Sequence, residues 1–258
     1  MAPLPAERVN RALPFSNLGI DYFGPIKIFD GCVEHKIWGS LFVCFVTRAV
    51  HLEAVTDLTS LAFIHAFRRF VARRTRPNVV WSDLSTTFTA ASEAIKEVWN
   101  RVVKEASQSD YFSDRQIRWK FIPQLSPFFG GAYERLVAMV KQVLRHAIGK
   151  KRLSEEDFRT FLVEAECIVN TRPISYIHDD LESMIIIRPI DFWSPNAQPS
   201  IPPLLEDMQD DTDYLPKLET RDALIQAWRN STRAIDKFWS YFYDQYLKAL
   251  RERQSSSH

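Results

Sequence analysis

The chain has 258 residues, 46% of them hydrophobic and 25% charged, which is enough for one sizeable core and excludes a disordered or fibrous protein. No apolar run reaches the roughly 18 residues that a membrane span needs, and the first 15 residues lack the apolar stretch of a secretory signal. We therefore expect a soluble, intracellular protein with no membrane partner.

The formal net charge of +1 conceals an uneven distribution. Residues 201–220 hold six acidic residues and Lys217, a net −5, so the remainder of the chain carries +6. A basic body favours a nucleic-acid partner, although solvated helix ends would give the same pattern. The densest basic cluster consists of five arginines: Arg68, Arg69, Arg73, Arg74 and Arg76.

Hydrophobic patterning predicts alternating strands and helices along the chain. Runs rich in Val and Phe predict strands, and apolar residues at helical spacing, such as Leu61, Ile64 and Phe67, predict helices. In chain order we expect strands at 18–28, 37–47 and 49–55, a helix at 58–76, a strand at 78–82, a helix at 90–106, a strand at 118–123, a helix from near Gly131 to Gly149 and another from Ser154.

This order of elements is typical of a ribonuclease-H-like α/β fold with a five-stranded mixed sheet flanked by helices. We expect an N-terminal lead-in at 1–16, the core at 17–188, a Pro-rich acidic connector at 189–220, and an amphipathic C-terminal helix with its tail at 221–258. Three cysteines, Cys32, Cys44 and Cys167, lack disulfide or zinc-site spacing and are expected to be buried thiols.

Three carboxylates stand where this fold could bring them together. Asp21 interrupts an apolar strand, Asp83 follows the buried run NVVWS, and Glu134 lies in the first turn of a helix after Gly130-Gly131. Two-metal phosphoryl transfer needs convergent carboxylates of this kind, because Mg²⁺ prefers oxygen ligands. Each residue also has an ordinary interpretation: the solvent face of an edge strand, a turn or helix cap, and stabilisation of the helix dipole.

Four blocks of sequence resemble, in order and spacing, the integrase core of BEL/Pao-type long-terminal-repeat retrotransposons. They are PFSNLGIDYFGPI, WGSLFVCFVTRAVHLEAV, FRRFVARRTRPNVVWSD and SPFFGGAYERLVAMVK, and the similarity continues through CIVNTRPISY to DFW at 191–193. The family's D,D,E triad carries over onto Asp21, Asp83 and Glu134.

The resemblance implies a DNA integrase that processes 3′ ends and transfers strands with two Mg²⁺ or Mn²⁺ ions held by that triad. It also implies DNA as a partner, both element ends and target, assembly as a homo-multimer, action in the nucleus, and no small-molecule cofactor. Arg135, Lys141 and Arg145 follow Glu134 on the same helix, and we expect them to contact DNA phosphates. A solvated helix face is the alternative interpretation.

Several departures from the family pattern leave catalysis open. Leu84-Ser85-Thr86-Thr87-Phe88 stands where the family usually has Asn-Gly-Thr-Asn-Phe. Ser85 could strain the turn if the position needs a positive φ, and Leu84 puts an apolar side chain at a polar rim. Phe128 and Tyr133 replace a common His and Trp.

Two alternatives follow. A ribonuclease H shares the fold, but such enzymes place a further carboxylate on the first helix, and 58–76 contains no Asp or Glu. Glu53, on the third strand, is expected to be an exposed strand residue. A non-catalytic, integrase-derived DNA-binding or assembly protein would explain the altered residues after Asp83.

The C-terminal helix carries an aromatic stripe that must be covered: Trp228, Trp239, Phe242 and Tyr246. Either the helix folds back on the core or it packs against a second copy of the chain.

Overall fold

The computed structural model describes residues 6–105, 116–122, 134–149, 151–174, 187–195, 197 and 221–255. For residues 8, 99, 101–105, 134–135, 221–227, 230–231 and 249–255 it describes the backbone only. Phe128, Tyr133 and most of the predicted connector 189–220 lie outside the described residues.

Five strands form one mixed sheet. β1 (Asn17–Asp30), β2 (Val33–Cys44) and β3 (Val50–Val55) make an antiparallel meander. β4 (Val79–Asp83) pairs parallel to β1, and β5 (Arg118–Ile122) pairs parallel to β4. The strand order β3-β2-β1-β4-β5, with helices following β3 and β4, is the ribonuclease-H-like arrangement, so the predicted fold class is confirmed.

Helices cover both faces of this sheet, and their bounds are close to those predicted. A short α1 (Ala6–Val9) precedes the sheet. The longer helices are α2 (Ser60–Arg73), α3 (Thr86–Glu105), α4 (Glu134–Ile148), α5 (Glu155–Asn170) and α6 (Arg221–Ser255). None of the described helices is both long and apolar enough to cross a bilayer.

Alternation along the strands divides the core into two layers. Leu18 and Ile20 point to the face covered by α2 and α3, where Phe63, Phe67 and Phe88 complete the layer. The opposite face packs against α4, α5 and α6; its buried side chains include Leu41, Leu52, Trp81, Val140, Phe158 and Phe238. Residues of β1 and β4 on this second face therefore look toward α4.

Gly39 of β2 permits a close approach within the second layer. A Cβ at this position would lie 1.9 Å from Cζ of Phe23, the residue of β1 that is paired with Gly39. Any larger side chain would displace the Phe23 ring, which is buried in the core.

Some expectations were wrong. Cys32 is exposed in the turn between β1 and β2, whereas Cys44 is buried and Cys167 partly so. Glu53 is buried with 4% of its side chain exposed, because α2 and α5 cover the outer edge of β3. The connector begins with a short 3₁₀ helix, Pro189–Phe192, rather than extended chain.

The C-terminal helix packs on the core of its own chain. Ile235, Phe238 and Phe242 of α6 are fully buried against α4 and α5, whereas Trp228 and Trp239 remain more than half exposed. The buried stripe is thus rotated from the predicted one: Phe242 belongs to it, but the two tryptophans do not.

Candidate metal and nucleic-acid site

Asp21 and Asp83 lie on neighbouring parallel strands, on the face of the sheet that packs against α4. The parallel register pairs Gly19 with Trp81, and continuing it by two residues brings Asp21 level with Asp83. Neighbouring strands are about 4.8 Å apart, so the two carboxylates are within electrostatic reach of each other. The negative charge of Asp21 indeed acts on the titration of Asp83.

The two oxygens of Asp21 have different partners. Oδ1 accepts a hydrogen bond of 2.7 Å from the backbone N–H of Tyr22. Oδ2 accepts one of 2.6 Å from Nζ of Lys141, which reaches down from α4. The backbone bond orients the carboxylate, and the lysine supplies a positive charge against it.

Asp83 is held from the turn that follows it. Burial raises the pKa of Asp83, and the Asp21 carboxylate raises it further, while hydrogen bonds from Ser85 and the charge of Lys141 act in the opposite direction. A carboxylate whose ionisation is disfavoured by burial and by a neighbouring carboxylate, with both groups fixed by donors, forms part of a pair that a cation would stabilise.

Ser85 fits the turn after Asp83 without backbone strain. Among the described residues, positive φ angles at non-glycine positions occur only at Phe15 and Arg48. Ser85 instead precedes the first residue of α3, where its Oγ accepts from the N–H of Phe88 at 3.4 Å and its carbonyl accepts from Thr89. The expected strain is absent. Leu84 follows Asp83 directly, and 57% of it is exposed to solvent.

Glu134 is the first residue of α4, and its side chain lies outside the described part of the chain. Lys141 lies seven positions after Glu134, about 10 Å further along the helix axis and on nearly the same helix face. Whether Glu134 converges with the two aspartates therefore stays a prediction. Arg145 is exposed one turn beyond Lys141, and the side chain of Arg135 is not described.

Within the described residues, no group of three or more His, Cys, Asp or Glu side chains could hold a metal ion. The donors that are described, two carboxylates on adjacent strands, are the oxygen ligands that hard divalent cations select. Asp21 and Asp83 therefore fit such an ion as a partial ligand set, to which Glu134 would be the third contributor.

Aromatic rings pack on the opposite face of the sheet from Asp21, in the layer covered by α2 and α3. The sequence pattern did not predict these ring contacts. The Tyr22 ring stacks on Phe88 with centroids 4.9 Å apart and packs edge-on against Phe63. Burial raises the pKa of Tyr22 well above its usual range, with further contributions from Asp57 and Asp83. The tyrosine next to Asp21 is thus a neutral, packed group.

A second polar cluster, also missed from the sequence, lies under the edge of β3. His51 Nε2 is 3.1 Å from Glu53 Oε1, and His51 Nδ1 is 2.9 Å from Glu166 Oε2 on α5. Arg69 and Arg73 of α2 bind Glu53 at 2.6 and 2.7 Å, and Arg74 binds Glu166. Three arginines of the cluster that suggested nucleic-acid binding therefore form ion pairs with buried carboxylates instead.

Two examples of solved structures that are similar to this chain come from viral integrases or their assemblies. One is a chain from the cryo-EM structure of the simian T-cell lymphotropic virus intasome in complex with PP2A regulatory subunit B56 gamma: TM-score 0.47, 16% identity, covering 81% of this chain. The chain described here spans 65% of the length of that one. The other is the HTLV-2 integrase catalytic core domain in complex with magnesium, in its trimeric form: TM-score 0.40, 14% identity, covering 65% of this chain and 91% of that one.

No protein-family model and no curated protein matches the chain. Both TM-scores are below 0.5 and both identities are below 25%, so neither likeness supports a conclusion about this chain. The ribonuclease-H-like assignment rests on the order and direction of the strands in the chain itself.

Proposed function

We propose that this chain is the catalytic core of a DNA integrase of the retroelement type, and within that class of the BEL/Pao group. The observation that carries the proposal is the juxtaposition of Asp21 and Asp83, level on adjacent parallel strands, with a helix that begins at Glu134 over the same face. Asp83 is the last residue of β4, and open α/β sheets collect functional groups at the carboxyl ends of their parallel strands.

The proposed reaction is metal-dependent phosphoryl transfer: 3′-end processing followed by strand transfer. Two divalent ions, Mg²⁺ or Mn²⁺, would activate the attacking oxygen and stabilise the leaving oxygen. Asp21, Asp83 and Glu134 would hold them. The backbone N–H of Tyr22 and the hydrogen bonds from Ser85 keep the first two carboxylates oriented, so little ordering remains when a cation binds.

DNA is the proposed substrate, and α4 is the proposed contact surface. Lys141 lies at the carboxylates, and Arg145 is exposed on the next turn. With Arg135 at the start of the helix, these cations would take the phosphates of an element end, and action on chromosomal target DNA would occur in the nucleus. Joining two ends in concert requires a multimer on DNA.

Calorimetric titration with Mn²⁺ tests the metal site without requiring turnover. We expect binding to the native chain and its loss in Asp21→Asn and Asp83→Asn. Asp30→Asn is the matched control, because Asp30 is an exposed carboxylate at the end of the same strand as Asp21. Heat that persists in both site variants would remove the carboxylate pair from the proposal.

The second candidate is a non-catalytic DNA-binding or assembly protein derived from such an integrase. The exposed Leu84 at the rim, where the family usually has a polar Asn, favours it. This candidate predicts that DNA binding persists in Asp21→Asn while no Mn²⁺ binding or strand transfer is measured for the native chain.

A further inference from the structure

The ion pair between Lys141 and Asp21 is a single contact between two partly exposed side chains. The lysine Nζ lies 2.6 Å from Oδ2, with 23% of the lysine side chain and 35% of the aspartate side chain exposed. Partly exposed pairs of this kind contribute little to stability, because water and salt screen them. The contact is therefore easily exchanged.

The site nevertheless needs a cation. Asp21 and Asp83 lie on adjacent strands, and Lys141 both contacts Asp21 and acts electrostatically on Asp83. A lysine ammonium is a compact point charge on a flexible stem, so it can leave without moving the helix that carries it. Oδ1, by contrast, is held by backbone and cannot be released in the same way.

We propose that Lys141 is an exchangeable counter-ion of this site: its ammonium and a divalent cation contend for Oδ2 of Asp21, and the displaced ammonium becomes available to a DNA phosphate. The inference rests on the proposed function, because it presumes that Asp21 and Asp83 bind a divalent ion. A divalent ion at Oδ2 would repel an ammonium a few ångströms away. Metal loading would thus turn Lys141 from a carboxylate partner into a phosphate-binding group.

Chemical labelling of the native chain reads this exchange directly. Acetic anhydride should modify Lys141 slowly in chelator and several-fold faster with Mg²⁺, as followed by mass spectrometry. Lys248 is the internal control, because it forms an exposed ion pair with Asp244 within α6, a different helix from the one that carries Lys141. Equal labelling of Lys141 in chelator and in Mg²⁺ would overturn the inference.

Metal affinity in variants separates this inference from the proposed function. Lys141→Met should bind Mn²⁺ about fivefold more tightly than the native chain, because a partly exposed ion pair contributes a free energy of about that size. Arg145→Met removes the same charge from the same helix and should change the affinity less than twofold. Equal affinity in the native chain and Lys141→Met would overturn the exchange but leave the metal site standing. If neither binds Mn²⁺, both the exchange and the metal site are overturned.

Binding of DNA supplies the second half of the test. Mg²⁺ should strengthen binding of the native chain to a short duplex, measured by fluorescence anisotropy, and should do so less in Lys141→Met. An equal effect of Mg²⁺ on both proteins would show that the released lysine does not reach phosphate, and would overturn that step.

Discussion

Asn170, the last residue of α5, binds the backbone of Val50 on β3 as a neighbouring strand would. Its Oδ1 accepts from the N–H of Val50 at 2.8 Å, and its Nδ2 donates to the carbonyl of Val50 at 2.7 Å. Glu166, one turn earlier, accepts from the N–H of Leu52, and Arg69 of α2 donates to the carbonyl of Ala54. Side chains thus satisfy the outer edge of the sheet, which would otherwise be open to pairing.

Replacing Asn170 with Leu should therefore destabilise the fold. The substitution leaves two buried backbone groups of Val50 without partners, at about 2–4 kcal/mol in total. The midpoint of thermal unfolding should fall by roughly 5–12 °C. Gln142→Leu is the control, because Gln142 is an exposed amide on α4 and its replacement should change the midpoint little. Equal midpoints for the two variants would show that the Asn170 bonds are not needed.

The NTRP sequence around Asn170 shows what patterns could and could not predict. Its order in the chain placed it within the family resemblance, but only the structure shows its task. Asn170 binds the edge strand, and Arg172 is buried, donates to the carbonyl of Arg48 at 2.7 Å and lies over the ring of Tyr246 on α6. Burial lowers the pKa of Arg172 to about 10. Contacts between residues more than 70 positions apart leave no periodic signal in one sequence.

The carboxylates also differ in how far the sequence predicted their positions. The apolar runs alone placed Asp21 within a strand and Asp83 after one, but that these two strands are neighbours followed only from the fold suggested by the order of elements. The burial of Glu53 could not be predicted: alternation on an edge strand predicts a solvent-facing residue, and the prediction failed because α2 and α5 bury that edge. Lys141 was expected at DNA phosphates, and its contact with Asp21 depends on the distance between a sheet and a helix, which sequence does not set.

The His51 cluster makes stability depend on pH. Burial alone would lower the pKa of His51, but hydrogen bonds to Glu166 and Glu53 raise it above its ordinary value of 6.5. A raised pKa in the folded state means that the stabilisation is complete below 6.5 and is lost as pH rises through the folded value. The pKa of Glu53 is lowered despite burial, by its bonds to His51 and Arg69, so its contribution is lost as pH falls below 4.5.

We therefore expect the difference in free energy of unfolding between the native chain and His51→Gln to be largest near ~pH 6 and to shrink toward ~pH 9. Urea titrations at several pH values measure it. His65→Gln is the control, because His65 is an exposed histidine on α2 and its variant should follow the native curve. A difference that grows with pH would contradict the assignment of a charged His51 to the folded state.

Adjacent residues of α6 test how the C-terminal helix is covered. Phe238 is fully buried and packs edge-on against Phe161 of α5, whereas Trp239 is 51% exposed. Phe238→Ala should cost about 3–5 kcal/mol through the cavity it leaves. Trp239→Ala should cost about 0.5 kcal/mol or less in the isolated chain. Comparable losses would mean that the helix is rotated or docked elsewhere.

Trp239 also tests the assembly expected of an integrase. If the exposed tryptophans meet a second copy, Trp239→Ala should lower the mass measured by light scattering at tens of micromolar, with its unfolding midpoint unchanged. A native chain that is monomeric with and without DNA would contradict a role for this face in assembly.

Tyr22 and Tyr246 form a matched pair with opposite expectations. Among the described residues the buried hydroxyl of Tyr22 has no hydrogen-bond partner, whereas that of Tyr246 donates to the carbonyl of Pro173 at 2.5 Å. Burying an unpaired hydroxyl is unfavourable, so Tyr22→Phe should raise the free energy of unfolding by about 1 kcal/mol. Tyr246→Phe should lower it by about the same amount, because it removes a bond and leaves a carbonyl unsatisfied.

The ring stacking of Tyr22 on Phe88 is unaffected by the Tyr22→Phe change. Denaturant titrations of both variants decide the matter: a loss of stability in Tyr22→Phe would show that the Tyr22 hydroxyl makes a hydrogen bond in solution.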